Sequence, residues 1–300
     1  MSAAQEGSER PARWAAEITG ETRLVALLGD PVAHSLSPRM HNTAFAQLGL
    51  KFVYLAFRTT EAGLPAAVAA LLALDAKGFN LTMPLKKTIV PMLDEMSPAA
   101  RMTGSVNTVT IEEGKLIGHN TDGKGHIHDL RDHGVEVKGK RILIAGAGGA
   151  ARGLCVQLAL DGAAEIVIAN RTLAKAEALR DLIAANIPAC RVEAVGIDER
   201  QLGPRIAEAD IFTNTTSLGM HPHEEGCVIS SPASLRPSLV VTDLVYNPRK
   251  TVFLEFAEEA GCRTITGLGT LLWQGAEAFR IWTGEDMPVG VVKKRVFPDL

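Results

Sequence analysis

The sequence predicts an α/β protein of two domains. Three observations predict it: a length of 300 residues, twice the roughly 150 of an ordinary domain; short β-rich runs that alternate with helical ones; and a glycine-rich turn between a strand and a helix near the middle of the chain. With 46% hydrophobic and 22% charged residues the chain can bury a full core, which excludes the fibrous and disordered classes.

In the first half, residues 24–29 read as a strand, 37–48 as a helix, 52–57 as a strand, 64–74 as a helix, and 78–83 and 106–111 as further strands. Strands alternating with helices imply a largely parallel sheet covered by helices. The polar stretch 119–132, with Gly123 and Gly125, breaks this rhythm and begins a connecting helix, so the domain boundary is expected there. The final helix, residues 270–282, and the tail to Leu300 have no strand after them and are expected to return to the first domain. The first domain is thus expected over residues 1–121 plus 268–300, and the second over 122–267.

The second domain opens with a strand over residues 141–145, then Gly146-Ala147-Gly148-Gly149-Ala150-Ala151, then a helix over 152–160. That order matches a dinucleotide-binding turn, with Ala151 at the third small position. Gly146 permits the tight turn, Gly148 lets the backbone approach a pyrophosphate, and Ala151 keeps the helix close to the strand. The helix N-terminus, with Gly149 and Ala150, supplies N–H donors and a positive dipole to the phosphates. Taken alone, such a turn also suits a well-packed protein that binds nothing.

The next strand, residues 165–169, ends in Asn170-Arg171-Thr172, with Lys175 a turn further on. A site for the NAD ribose usually places Asp or Glu there to accept from the 2′-hydroxyl. Arg171 and Lys175 instead suit a 2′-phosphate, so a Rossmann-like NADP domain is expected. The bland alternative is that two basic residues begin a solvated helix. Further strands are expected at 191–195, 210–213, 239–243 and 263–266, with a helix at 251–260 and a mobile loop at 215–231.

A net charge of −3 and a pI near 6.3 give no electrostatic reason to expect nucleic acid or an anionic membrane as partner, so a small molecule is expected. The 4 cysteines, Cys155, Cys190, Cys227 and Cys262, lie far apart without a CxxC pair and read as reduced core residues. The stretch 1–20 mixes charges with alanines and has no apolar core of a secretory signal. Residues 64–74 are about half the length a membrane span needs. A cytoplasmic location is expected; oligomeric state is not legible. Residues 1–23 carry no legible role beyond Trp14, which suits a short packed helix.

Three polar clusters in the first half are hard to explain by packing. His34-Ser35-Leu36-Ser37-Pro38 presents two hydroxyls at a helix N-terminus, where a carboxylate is welcome, although Ser37 also suits a plain N-cap with Pro38 behind it. Asn80, Thr82 and Lys86 leave the end of a strand, where α/β folds bind ligands. Asn107-Thr108 and His119-Asn120-Thr121-Asp122-Gly123 follow, and a carboxylate there can face the lysine across a cleft.

These residues, in order, carry a resemblance. The set His34-Ser35-Leu36-Ser37-Pro38, Asn80-Leu81-Thr82-Met83-Pro84-Leu85-Lys86, Val106-Asn107-Thr108, Asn120-Thr121-Asp122-Gly123, Gly146-Ala147-Gly148-Gly149-Ala150, Asn170-Arg171-Thr172 and Thr266-Gly267-Leu268-Gly269 is similar to the shikimate dehydrogenase family, including its quinate/shikimate dehydrogenase branch. The resemblance implies a reversible, NADP-linked and metal-free interconversion of a ring hydroxyl and a ketone, shikimate and 3-dehydroshikimate in the type reaction. It implies that Ser35 and Ser37 hold the substrate carboxylate with Tyr246 on the same side, and that Thr82, Asn107 and Gln274 bond the ring hydroxyls. The nicotinamide is implied near Leu244 and Gly267, between the domains, and Asn170 and Thr172 are implied beside Arg171 in the cofactor site.

Hydride exchange at a ring carbon requires a proton to move at its oxygen, which calls for an acid/base within hydrogen-bond reach. An ammonium beside a carboxylate can give or take that proton and stabilise negative oxygen. Lys86 is expected to carry it and Asp122 to orient the lysine, although residue types leave open which of the two moves the proton. Quinate or another cyclic hydroxy acid stays open as substrate, as does a non-catalytic ligand-sensing regulator. One departure stands out: the family usually reads Gly-Leu-Gly-Met before the last helix, and here Thr270 takes the place of the thioether expected between substrate and nicotinamide. The pairs His126/His128 and His221/His223 read as solvated histidines rather than metal ligands, because i,i+2 positions on a helix point apart.

Overall fold

The structure, a computed structural model, describes residues 18–298, so Trp14 lies outside the described residues. Two six-stranded sheets organise the chain. The first half runs β1 (Arg23–Gly29), α1 (Ser37–Leu48), β2 (Phe52–Arg58), α2 (Leu64–Ala73), β3 (Gly78–Leu81), α3 (Leu85–Thr88), β4 (Glu95–Met96), α4 (Pro98–Thr103), β5 (Thr108–Glu112) and β6 (Lys115–His119). Its strands lie in the order β2-β1-β3-β5-β6-β4.

This sheet is less parallel than the alternation of strands and helices predicts. β1 pairs parallel with β2 and β3, but β5 runs antiparallel to both β3 and β6. The cause is local. Glu112 faces Lys115, and between them lie Glu113 and Gly114 at positive φ, 51° and 76°, the backbone of a two-residue hairpin turn. So short a turn joins only antiparallel strands. The register then sets Asn80 opposite Thr108, and Thr108 opposite His119. Hence the end of β3, the start of β5 and the end of β6 share one edge of the sheet. Since Leu28 pairs in parallel with Leu81, the loop after β1 leaves by that edge too.

Helix α5 (Asp122–Asp132) leads into the second sheet, built from β7 (Arg141–Ala145), α6 (Gly149–Leu160), β8 (Glu165–Ala169), α7 (Leu173–Asn186), β9 (Arg191–Val195), α8 (Glu199–Glu208), β10 (Ile211–Asn214), β11 (Val240–Asp243), α9 (Val252–Glu259) and β12 (Arg263–Ile265). Every pairing is parallel, in the order β12-β11-β10-β7-β8-β9. The winding reverses between β7 and β10, which opens a crevice beyond their C-terminal ends. Separate apolar cores fill the two faces, one built on Ile144, Leu154 and Ile166 and the other on Leu143, Phe212 and Phe253.

The last helices, α10 (Gly267–Thr283) and α11 (Val289–Val296), return to the first sheet as expected. Phe279, Trp282 and Val292 join Val25, Phe45 and Tyr54 in one core, and Trp282 Nε1 donates to the Val109 carbonyl at 3.0 Å. On the way α10 crosses α5 so closely that a Cβ on Gly125 would lie 2.5 Å from the Gln274 backbone nitrogen. Only glycine permits that approach. No described helix is long and apolar enough to cross a membrane.

Candidate functional site

Lys86 and Asp122 meet. Lys86 is carried by the short α3 just past the end of β3, and Asp122 is the first residue of α5, just past the end of β6. Lys86 Nζ donates to Asp122 Oδ2 at 2.7 Å, with both side chains about one-third exposed (32% and 33%). The pair is therefore shielded yet open to a ligand. Asp122 Oδ1 is taken by Asn107 Nδ2 at 2.8 Å. Asn107 Nδ2 also lies 3.4 Å from Gln274 Oε1, which draws α10 into the same cluster.

Behind this pair a buried polar sequence runs toward α1. Asn107 Oδ1 accepts from the Thr121 backbone N–H at 2.9 Å and from Thr108 Oγ1 at 3.1 Å. Asn80 Nδ2 donates to Thr108 Oγ1 and to the Asn107 carbonyl, both at 2.9 Å. Tyr54 donates to Asn80 Oδ1 at 2.7 Å. Burial pushes the Tyr54 hydroxyl well above the ordinary tyrosine range, so it stays a neutral donor. Ser35 Oγ accepts from the Ser37 backbone N–H at 3.2 Å, so both serines sit together at the start of α1. Thr82 follows β3 and packs over Gly29, whose Cβ would come 2.3 Å from its methyl.

On the second sheet, Gly146 ends β7 at φ 114°, and a Cβ there would lie 2.5 Å from Thr215 Oγ1, across the crevice after β10. Gly148 caps α6 without a side-chain bond, and Cβ atoms on Gly148 or Gly149 would meet nothing within 4 Å. Packing gives no reason for glycines here, whereas a phosphate against the first N–H groups of α6, from Gly149 and Ala150 onward, does. Asn170 Nδ2 donates to the Thr172 carbonyl at 2.9 Å and shapes the turn from which Arg171 projects. Arg171 and Lys175 are exposed, and their side chains make no hydrogen bond or ion pair among the described residues. The donor set fits a phosphorylated dinucleotide. Leu244 and Gly267 adjoin one another, a Cβ on Gly267 falling 2.6 Å from the Leu244 carbonyl oxygen.

Two expected residues stand apart. The Tyr246 ring is 52% exposed and bonds none of the other candidate residues. Thr270 turns its hydroxyl to His126 Nδ1 at 2.9 Å, inside the contact of α5 with α10. His126 is buried, which lowers it to about 4, and its Nε2 lies 3.3 Å from Thr242 Oγ1. It is thus a neutral core histidine, where the spacing alone suggested a solvated one. His221 Nδ1 pairs with Glu224 at 2.8 Å on the surface. Among the described residues no three His, Cys, Asp or Glu side chains gather. The sequence reading assigned no role to Tyr54 or Asn80. The available signals were Asn80 at the head of its polar cluster and a tyrosine in a chain with only 2 of them.

Comparison with known proteins agrees in both halves of the chain. The family model for the shikimate dehydrogenase substrate binding domain matches residues 27–109, that for shikimate/quinate 5-dehydrogenase matches 129–250, and that for the shikimate 5′-dehydrogenase C-terminal domain matches 267–297. The shikimate dehydrogenase (NADP(+)) of Alkaliphilus metalliredigens is 54% identical over 93% of this chain and 97% of its own length. Shikimate 5-dehydrogenase of Listeria monocytogenes, solved with shikimate and NAD, superposes with a TM-score of 0.89 at 47% identity, covering 93% of this chain and 97% of the other. The 5-ketofructose reductase of Gluconobacter sp. strain CHM43 superposes with a TM-score of 0.85 at 34% identity, over 94% of this chain and 100% of the other. With matches along both sheets and the returning helices, the chain belongs to the shikimate dehydrogenase family.

Proposed function

We propose that this chain interconverts shikimate and 3-dehydroshikimate with NADP. The observation that carries the reading is the Lys86–Asp122 pair at 2.7 Å, braced by Asn107 and left one-third open at the sheet edge. When bound, NADP supplies the acceptor, or as NADPH the donor, of hydride. Lys86 in its ammonium form gives a proton to the ketone oxygen as reduction proceeds, and in oxidation the hydroxyl proton returns to the Lys86–Asp122 pair. Asp122 holds the ammonium in place through Oδ2, and its charge stabilises the cation. Thr82, Asn107 and Gln274 bond the ring hydroxyls, and Ser35, Ser37 and Tyr246 meet the carboxylate. Arg171 and Lys175 take the 2′-phosphate beside Asn170 and Thr172, while Leu244 and Gly267 flank the nicotinamide.

In this reading residues 1–121 plus 268–300 form the substrate domain and 122–267 the NADP domain. Four free thiols, Cys155, Cys190, Cys227 and Cys262, support a cytoplasmic location. The test is a spectrophotometric panel of shikimate, quinate and related hydroxy acids against NADP and NAD. Shikimate with NADP is expected to give the highest kcat/KM. No turnover of that pair, with turnover of another acid, overturns the assignment of the substrate.

A further inference from the structure

Two side chains of α1 grip one residue of β2. Asn42 brackets the backbone of Tyr54, accepting from its N–H at 2.8 Å and donating to its carbonyl at 2.9 Å. The His41 ring stacks on the Tyr54 ring, with centroids 4.5 Å apart and planes 14° from parallel. Such a hold on a fully buried phenol needs a reason, and the protons supply one.

Their directions follow from fixed ends. The Thr121 backbone N–H, which only donates, faces Asn107 Oδ1 at 2.9 Å, so Asn107 Nδ2 must be the atom facing Asp122. The Asn107 carbonyl, which only accepts, faces Asn80 Nδ2 at 2.9 Å, so Asn80 Oδ1 must be the atom facing Tyr54. Tyr54 then has to give its single proton to Asn80. Thr108 takes from Asn80 Nδ2 and gives to Asn107 Oδ1. From Tyr54 to Asp122 the amide orientations are thus set, and Thr121 Oγ1, which accepts from Asn107 Nδ2 at 2.9 Å, lies 3.4 Å from Thr108 Oγ1 beside them.

We propose that Tyr54 is a positioning residue for the reaction: its donation to Asn80 Oδ1 satisfies the amide whose other end bonds the Asn107 carbonyl and Thr108, and so holds Asn107, oriented by the Thr121 N–H, where its Nδ2 reaches Asp122 Oδ1 and leaves Oδ2 to Lys86. The inference rests on reading Lys86 and Asp122 as the proton-transfer pair. Without the Tyr54 hydroxyl Asn80 Oδ1 is a buried acceptor with no donor. Turning the Asn80 amide to relieve this forfeits its bonds to the Asn107 carbonyl and Thr108.

Tyr54→Phe removes the hydroxyl and keeps the ring against His41. We expect kcat for shikimate oxidation to fall about tenfold, with the Kd for NADP changed by less than about twofold. Asn107→Ala deletes the far end of the sequence. In that background Tyr54→Phe is expected to cost less than about twofold, whereas a merely structural tyrosine lowers both backgrounds by one factor. Thr108→Val interrupts the sequence one link on and gives the same loss of kcat should Tyr54→Phe fail to fold. Side-chain amide NMR of Asn107 supplies a readout without turnover, its signals shifting in either variant. If the unsubstituted chain oxidises no shikimate, the functional reading fails while the amide shift still decides the role of Tyr54. Parent-like kcat in both variants, equal losses in both backgrounds, or unmoved Asn107 amide signals overturn the proposal.

Discussion

Asp122 divides its two oxygens between Lys86 and Asn107, so neither neighbour can be altered without changing what the other holds. In the proposed role Lys86→Ala removes both the proton donor and the positive charge at the reacting oxygen, and kcat is expected to fall by about 10²–10⁴-fold. Asp122→Asn should lower kcat too. Because the two act as a unit, the double variant should be little worse than Lys86→Ala alone, with NADP affinity kept throughout. Steady-state kinetics on the four enzymes, with NADP binding measured separately, checks this; a Lys86→Ala enzyme retaining more than about a tenth of parental kcat leaves only ~1.4 kcal/mol for the residue to supply and rules the role out. Thr270 belongs to another account. Its hydroxyl partners a buried neutral imidazole, so Thr270→Val should cost about 1–3 kcal/mol in urea unfolding by leaving His126 Nδ1 unpaired. The lysine and carboxylate were legible through the ordered set of motifs that resembles the family, since a lone lysine at a strand end is more often a solvated charge. Tyr54 was not, because an apolar strand hides a phenol whose value lies in what its one proton faces.

At the scale of elements, the strand ends do most of the placing. The parallel pairing of β1 with β3 brings the serine loop and the lysine loop to one edge, which an α/β pattern predicts. Asn107 and Asp122 reach that edge only because the Glu113-Gly114 turn reverses the chain between β5 and β6. This hairpin was illegible: Glu-Gly is a weaker turn signal than Asn-Gly, and residues 115–119 carry a glycine and a histidine where a strand pattern expects β-branched or aromatic residues. The contact of α5 with α10 was illegible for a different reason, since Gly125 read only as part of a polar stretch at the domain boundary and is the space into which Gln274 fits. Gly125→Ala should push the helices apart, lower stability by about 1–3 kcal/mol and loosen Gln274 from Asn107. Urea unfolding reads the first effect and KM for shikimate the second; an alanine variant as stable as the parent contradicts the close approach. The turn after β8 carries its own test. Arg171→Ala should raise KM for NADP far more than KM for NAD, because only the 2′-phosphate loses a charge-assisted partner; equal changes with both cofactors sink the assignment.

Over the whole molecule, the cores and the helix that links them hold buried titratable groups of opposite sign. Across α5 and α10, burial works against the Glu277 carboxylate, yet hydrogen bonds from Arg280 and Lys124 hold it below the usual carboxylate range and staple the two helices. Asp243 has no such cation beside it, and Asp129 has only the His133 imidazole, with Nδ1 3.4 Å from Oδ1. Burial raises each from 3.8 to about 6. His41 and His126 go the other way, burial lowering them from 6.5 to about 3 and about 4. For the two aspartates the folded chain holds more protons than the unfolded one between about pH 4 and 6, so their contribution to stability is lost as pH rises through that window. For the two histidines the unfolded chain holds more protons between about pH 4 and 6.5, so their contribution is lost as pH falls. The slopes oppose one another across the shared window, with His119 and His128, also lowered by burial, on the side of the histidines. Asp129 also faces Asp132, His133, Lys293 and Thr270, none of which replaces the proton it takes up. Asp129→Asn therefore leaves the histidines in excess. Acidification from about pH 6.5 to 4.5 should cost the variant about 2 kcal/mol more stability than it costs the parent, read as the difference between urea midpoints at the two pH values multiplied by m. Equal acid sensitivity of the two chains would falsify this balance, and a variant less acid-sensitive than the parent would mean that Asp129 is ionised in the fold and held there by His133.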